Sequence, residues 1–151
     1  MRSSEISVTR ATIVLAEDHP PVAEQIRDLL GEEFDVLAVV GHGEALVKAA
    51  RRLRPDAVVT DISMPGMDGM QAARELKSEQ PGLPLVFITV HDDPLLARAA
   101  LSIGEGYVLK ASAGEELVDA LKAVLDHRYF VSPALGRVES LVGRSGSSPA
   151  V

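Results

Sequence analysis

At 151 residues, with 46% hydrophobic and 25% charged residues, the chain has the composition of one soluble globular domain. It holds no cysteine, which excludes disulfides and thiolate metal sites and fits a reducing, cytoplasmic setting. The net charge of −7 gives no footprint for nucleic acid; residues 1–10 lack a signal-peptide core; and the apolar run 85–90 is far short of the roughly 20 residues of a membrane span.

Short apolar runs alternate with amphipathic stretches five times along the chain. The first run, Thr12–Ala16, leads into 21–30, where Val22, Ile26, Leu29 and Leu30 fall on one helical face. Runs at Asp35–Val40, 57–60, Leu85–Thr89 and Gly106–Leu109 follow, rich in Val, Ile and Leu with little polar alternation, as strands covered on both faces require. Asp92-Asp93-Pro94 and the Ser112/Glu115 spacing mark helix starts, the second as a capping box. Over 115–125, Leu117, Val118, Leu121, Val124 and Leu125 form the last apolar face. Five β-α units predict a doubly wound α/β domain with a five-stranded parallel sheet and right-handed crossovers. The domain is expected to span 11–126. Residues 127–151 are expected to be a tail: one short helix started by Ser132-Pro133, with Leu135, Val138, Leu141 and Val142 on a face, then a flexible Gly/Ser-rich end.

In open parallel sheets ligands sit at the carboxyl ends of the strands. Polar residues gather there: Glu17 and Asp18 after the first run, Asp61 after the third, Thr89 on the fourth and Lys110 after the fifth. With strand order 2-1-3-4-5 the three carboxylates converge, and their repulsion calls for a cation. An all-oxygen donor set selects a hard ion, Mg²⁺. A carboxylate nucleophile with a metal, an ammonium and a hydroxyl suits phosphoryl transfer. Each residue alone has a plainer reading: a solvated acidic pair, a turn Asp, a β-branched strand end and a surface lysine. Their joint placement argues for a site. His19 and His91 are expected in loop or cap roles, and no function is read for His42 or His127.

Glu17-Asp18-His19-Pro20, the stretch from Asp61 to Gly69, Thr89 and Gly106-Tyr107-Val108-Leu109-Lys110 together resemble the receiver domain of two-component response regulators. The Asp-His-Pro start and the Tyr-x-Leu-Lys-Ala-Ser ending are most similar to the subfamily whose full-length members carry a LuxR-type helix-turn-helix. The resemblance implies a flavodoxin-like fold and a phosphoacceptor switch, not an enzyme, that catalyses its own phosphorylation and dephosphorylation. It implies Asp61 as acceptor of a phosphoryl group from a sensor histidine kinase or phosphotransfer protein. Mg²⁺ would be held by Glu17, Asp18, Asp61 and the Ser63 main-chain carbonyl, while Thr89 and Lys110 bond the phosphoryl oxygens. Tyr107 would be an aromatic switch that rotates inward from the surface as Thr89 moves, changing the face formed by 94–125 for a homodimer or another partner.

Two residues depart from the family pattern: Ala111 follows Lys110 where many receivers have Pro, and Val90 is bulkier than the usual Ala. The 25 residues after 126 are too few for a DNA-binding module, which needs at least about 40–60. The expectation therefore leans to a fragment of a transcription regulator, or one that has lost its output domain, with no DNA binding by this chain alone. A Mg²⁺ phosphohydrolase with an aspartyl-phosphate intermediate and a partner-binding pseudo-receiver are the alternatives. The first lacks a second acid two residues after Asp61, where Ser63 stands.

Overall fold

A computed structural model describes residues 9–142. Its strands and helices alternate: β1 Thr12–Ala16, α1 Pro20–Gly31, β2 Asp35–Val40, α2 Gly43–Leu53, β3 Ala57–Asp61, α3 Gly69–Glu79, β4 Leu85–Thr89, α4 Pro94–Leu101, β5 Gly106–Leu109 and α5 Ala113–Leu125. Two short elements follow, β6 Phe130–Val131 and α6 Val138–Leu141, with a 3₁₀ turn at Pro133–Leu135 between them. All strand pairs are parallel, in the order β2-β1-β3-β4-β5-β6.

The sheet thus has six strands rather than the five expected. The sixth comes from the segment read as tail: Phe130 N–H donates to Glu105 O at 3.0 Å and Ser132 N–H to Tyr107 O at 2.9 Å. Two residues are too few to show a strand period in sequence. α5 ends in a Schellman turn, with Arg128 N–H bonded to Ala123 O and His127 N–H to Val124 O, and His127 in the left-handed region at φ 60°. That reversal returns the chain beside β5. The single helix expected from Ser132-Pro133 is not formed: Gly136, at φ 111°, separates the 3₁₀ turn Pro133–Leu135 from the four-residue α6, and the Gly/Ser-rich end lies outside the described residues.

β3 and β4 are buried along their whole length, which explains their unbroken apolar character. One core cluster lies on each sheet face. Leu46, Ala50, Val58, Ala72, Leu76, Phe87 and Tyr107 belong to the α2/α3/α4 side, and Ile13, Leu15, Leu30, Val59, Ile88, Leu117 and Leu121 to the α1/α5 side. The capping box sits at α3, where Asp68 accepts from Gln71 N–H at 2.9 Å and Gln71 accepts from Asp68 N–H. The Ser112/Glu115 box is not formed. Residues Lys110–Ser112 already turn as a 3₁₀ helix, leaving Ser112 at φ −106°, ψ 4° instead of the extended geometry a capping hydroxyl needs. At α4, Asp93 caps Leu95 N–H and Pro94 opens the helix as expected. No helix among the described residues is long and apolar enough to cross a membrane.

Candidate functional site

β1 and β3 are neighbours in register, Ala16 opposite Thr60, so Glu17 and Asp61 leave the sheet side by side. One carboxylate oxygen from each of Glu17, Asp18 and Asp61 lies within 4.8 Å of the other two. Glu17 and Asp61 are buried, at 3% and 5% exposure, and Asp18 faces solvent. Lys110, delivered by the end of β5, places Nζ 2.8 Å from Asp61 Oδ2 and 2.8 Å from Glu17 Oε1. Burial works against its charge, but the hydrogen bond to Asp61 and the pull of the Asp61 and Glu17 carboxylates more than offset this and hold the ammonium above the usual lysine range. The lysine is a fixed cation at neutral pH.

Three carboxylates against one ammonium leave the cluster negative. Ser63 N–H donates to Asp61 Oδ1 at 3.2 Å, and His19 N–H to Glu17 Oε2 at 3.0 Å. Glu17 Oε1 is buried without an aligned hydrogen bond, and Lys110 meets it only as an ion-pair contact. A buried, incompletely satisfied carboxylate oxygen facing two more carboxylates fits a small hard cation with oxygen ligands. An open groove of about 680 Å³ between α1 and the β2 edge borders the cluster; its walls include Glu17 and Asp18 but not Asp61.

The loop after Asp61 is pinned from several sides. Ile62 and Met64 are buried in the core cluster on the α2/α3 side. Gly43 N–H bonds Met67 O at 2.9 Å, and Gly69 N–H bonds Ile62 O at 2.8 Å. A Cβ on Gly69 would stand 1.9 Å from the Asp61 carbonyl oxygen, and one on Gly43 2.2 Å from that of Met67. Both helices reach the loop only because these residues have no side chain. Asp68-Gly69, legible in sequence as a turn, is also a packing requirement beneath the acceptor. Gly66, at φ 71°, supplies the turn itself.

Thr89 closes β4, fully buried, its Oγ1 accepting from His91 N–H at 3.0 Å. Tyr107 is also fully buried, and its hydroxyl donates to His91 O at 2.8 Å. Burial pushes its phenol up to about 12, against a hydrogen bond with Thr89; Asp93 and Asp92 add to the rise. Of the two positions expected for Tyr107, outward and inward, the structure shows the inward one. The ring packs in the cluster that holds Phe87, Ala97, Ala100 and Leu101, which rewards burial, and the His91 carbonyl satisfies its hydroxyl there. Val90 is 72% exposed and points away from the core. His91 Nε2 lies 3.5 Å from Ser63 Oγ at the rim, and His42, for which no role was read, caps α2 by accepting from Ala45 N–H. The Lys110–Ala111 peptide is trans.

Residues 13–122 match the family model described as "Response regulator receiver domain". The chain belongs to the response regulator receiver family. As a receiver domain it is similar to response regulator GacA of Pseudomonas aeruginosa, 34% identical over 129 residues, which cover 83% of this chain and 60% of that protein. Among solved structures it is similar to a LuxR-family two-component response regulator from Aurantimonas, with a TM-score of 0.81 at 29% identity, covering 93% of this chain and all of that one. The isolated receiver domain of RcsB from Salmonella enterica, in the presence of phosphomimetic BeF₃⁻, has a TM-score of 0.77 at 28% identity, covering 84% of this chain and 96% of that one. This receiver spans about three fifths of the curated relative's length. Receiver domains are phosphoacceptor switches, generally not classed as enzymes.

Proposed function

We propose that Asp61 accepts a phosphoryl group from a sensor histidine kinase, a phosphotransfer protein or a small acyl phosphate, and that the receiver signals by shifting between two conformations. The observation that carries this reading is the convergence of Lys110, Glu17 and Asp18 on one buried strand-end carboxylate. In the transfer an Asp61 carboxylate oxygen forms a bond to phosphorus, the donor's P–N or P–O bond breaks, and the donor leaves with that electron pair. Lys110 is already charged and within reach, so it neutralises the incoming oxygens without acquiring a proton. Glu17, Asp18, Asp61 and the Ser63 carbonyl would hold Mg²⁺, whose charge, when bound, offsets that of the transferring group. The Thr89 hydroxyl would exchange its bond from His91 N–H for phosphoryl contacts.

The output is carried by Thr89 and Tyr107 to α4, β5 and α5, in cytoplasmic control of transcription or through protein partners, including a second copy of the chain. RcsB, a structural relative, has been solved as dimers on DNA; with its net charge of −7 this chain alone is expected not to bind DNA specifically. Incubation with Mg²⁺ and acetyl phosphate followed by intact mass tests the function. A receiver gains one phosphoryl group that persists for minutes. Continuous turnover would mean a hydrolase, and an unchanged mass a pseudo-receiver.

The metal reading has its own signature in stability. Asp18 is exposed and adds a like charge within 4.8 Å of Glu17 and Asp61. At that range and in high dielectric each such pair costs about 1 kcal/mol. Asp18→Asn is therefore expected to raise the melting temperature without Mg²⁺ and to remove most of the stabilisation that Mg²⁺ gives wild type. A variant that gains as much stability from Mg²⁺ as wild type would contradict the site.

A further inference from the structure

The segment from β6 to α6 is fastened to the strand that carries Tyr107 and leads into Lys110. Phe130 and Val131 pair with Gly106 and Tyr107, so the side chains of Val131 and Tyr107 lie next to each other on one sheet face. Ser132 is fully buried and binds at three points. Its N–H donates to Tyr107 O, its hydroxyl accepts from Leu109 N–H at 2.9 Å, and the same hydroxyl donates to the Glu116 carboxylate on α5. Beyond it, Leu141 is buried against the core, with Leu135, Val138 and Val142 packed partly beside it, and α6 lies on α4. Val131, Leu141 and the Tyr107 ring belong to one cluster.

We propose that residues 130–142 are a strap whose docking on β5 and α4 is linked to the inward position of Tyr107, so that phosphorylation of Asp61 tightens it. The sign follows from packing. An outward Tyr107 would take its ring from the cluster that Val131 and Leu141 share, so the docked strap favours the inward ring. Any ligand that favours the inward ring then favours docking, and docking strengthens that ligand's binding by the same factor. With the strap in place the β5 edge is closed and its groups are paired, so this edge is not available for another strand. The strap is thus the first reader of the switch, located where the chain leaves the domain.

The inference rests on Asp61 being the acceptor, and hydrogen exchange on the full chain separates the two claims. With Mg²⁺ and beryllofluoride as phosphoryl mimic, the amides of 130–141 should exchange several-fold more slowly, along with those around Asp61. Ser132→Ala removes two hydrogen bonds of the strap, and its strap amides should exchange about tenfold faster than wild type. Glu116→Gln, which keeps Ser132 and the shape of the site, should do so to a smaller degree. By reciprocity the beryllofluoride concentration for half-saturation should rise in both variants. Unchanged or faster exchange at 130–141 while Asp61 peptides become protected would overturn the strap and leave the acceptor standing. No response at Asp61 would overturn both.

Discussion

Asp61→Asn is expected to end phosphorylation altogether while the domain stays folded. The amide has the size and shape of the carboxylate, and it can still accept from Ser63 N–H and Lys110. It lacks the anionic oxygen that must bond to phosphorus. Removing one of three clustered carboxylates relieves repulsion, and losing the charged partner of Lys110 opposes that gain, so stability should stay within about 1 kcal/mol of wild type. Labelling with acetyl phosphate and Mg²⁺, read by intact mass beside a thermal melt, checks both halves. Asp18 is not a substitute, because among the described residues no lysine is placed on it as Lys110 is on Asp61.

The second large effect is structural. Gly69→Ala would put a methyl carbon 1.9 Å from the Asp61 carbonyl oxygen, 2.9 Å from its carbon and 3.1 Å from Thr60 Oγ1. None of these is the free end of a flexible side chain; two are backbone atoms of the acceptor itself. α3 must shift away, breaking the Gly69–Ile62 hydrogen bond and loosening the anchored loop. The expected cost is about 3 kcal/mol or more, toward the upper end for overpacking, together with slower phosphorylation. Gly31→Ala, with nothing within 4 Å of its Cβ, is the control and should be neutral or stabilising by up to about 1 kcal/mol. Equal denaturant midpoints for the two variants would show that Gly69 is not a packing requirement.

The core strands were legible because burial on both faces leaves them as unbroken Val/Ile/Leu runs; β3 extends one residue further than its run, through Asp61. The site was legible because a parallel sheet brings the carboxyl ends of all its strands to one edge, which is enough to expect Glu17, Asp61 and Lys110 together. What escaped depends on contacts without a local pattern. β6 is two residues long and exists through hydrogen bonds to Glu105 and Tyr107, far from it in sequence. The Ser132–Glu116 contact joins a serine expected to start a helix to a glutamate of α5 sixteen residues before it. The steric roles of Gly43 and Gly69 appear only once α2 and α3 meet the loop after Asp61. The inward Tyr107 follows from the cluster around it, which includes residues of the strap.

The central claim is that one carboxylate carries the phosphoryl group, and the most direct test is where that group is found. Wild-type chain phosphorylated with acetyl phosphate and Mg²⁺ can be reduced with borohydride, which converts an aspartyl phosphate to homoserine, and then digested and read by peptide mass. The account predicts conversion at residue 61 alone, and none when Mg²⁺ is chelated first. Conversion at Asp18 or Glu17, or a full yield at Asp61 in the presence of chelator, would contradict it.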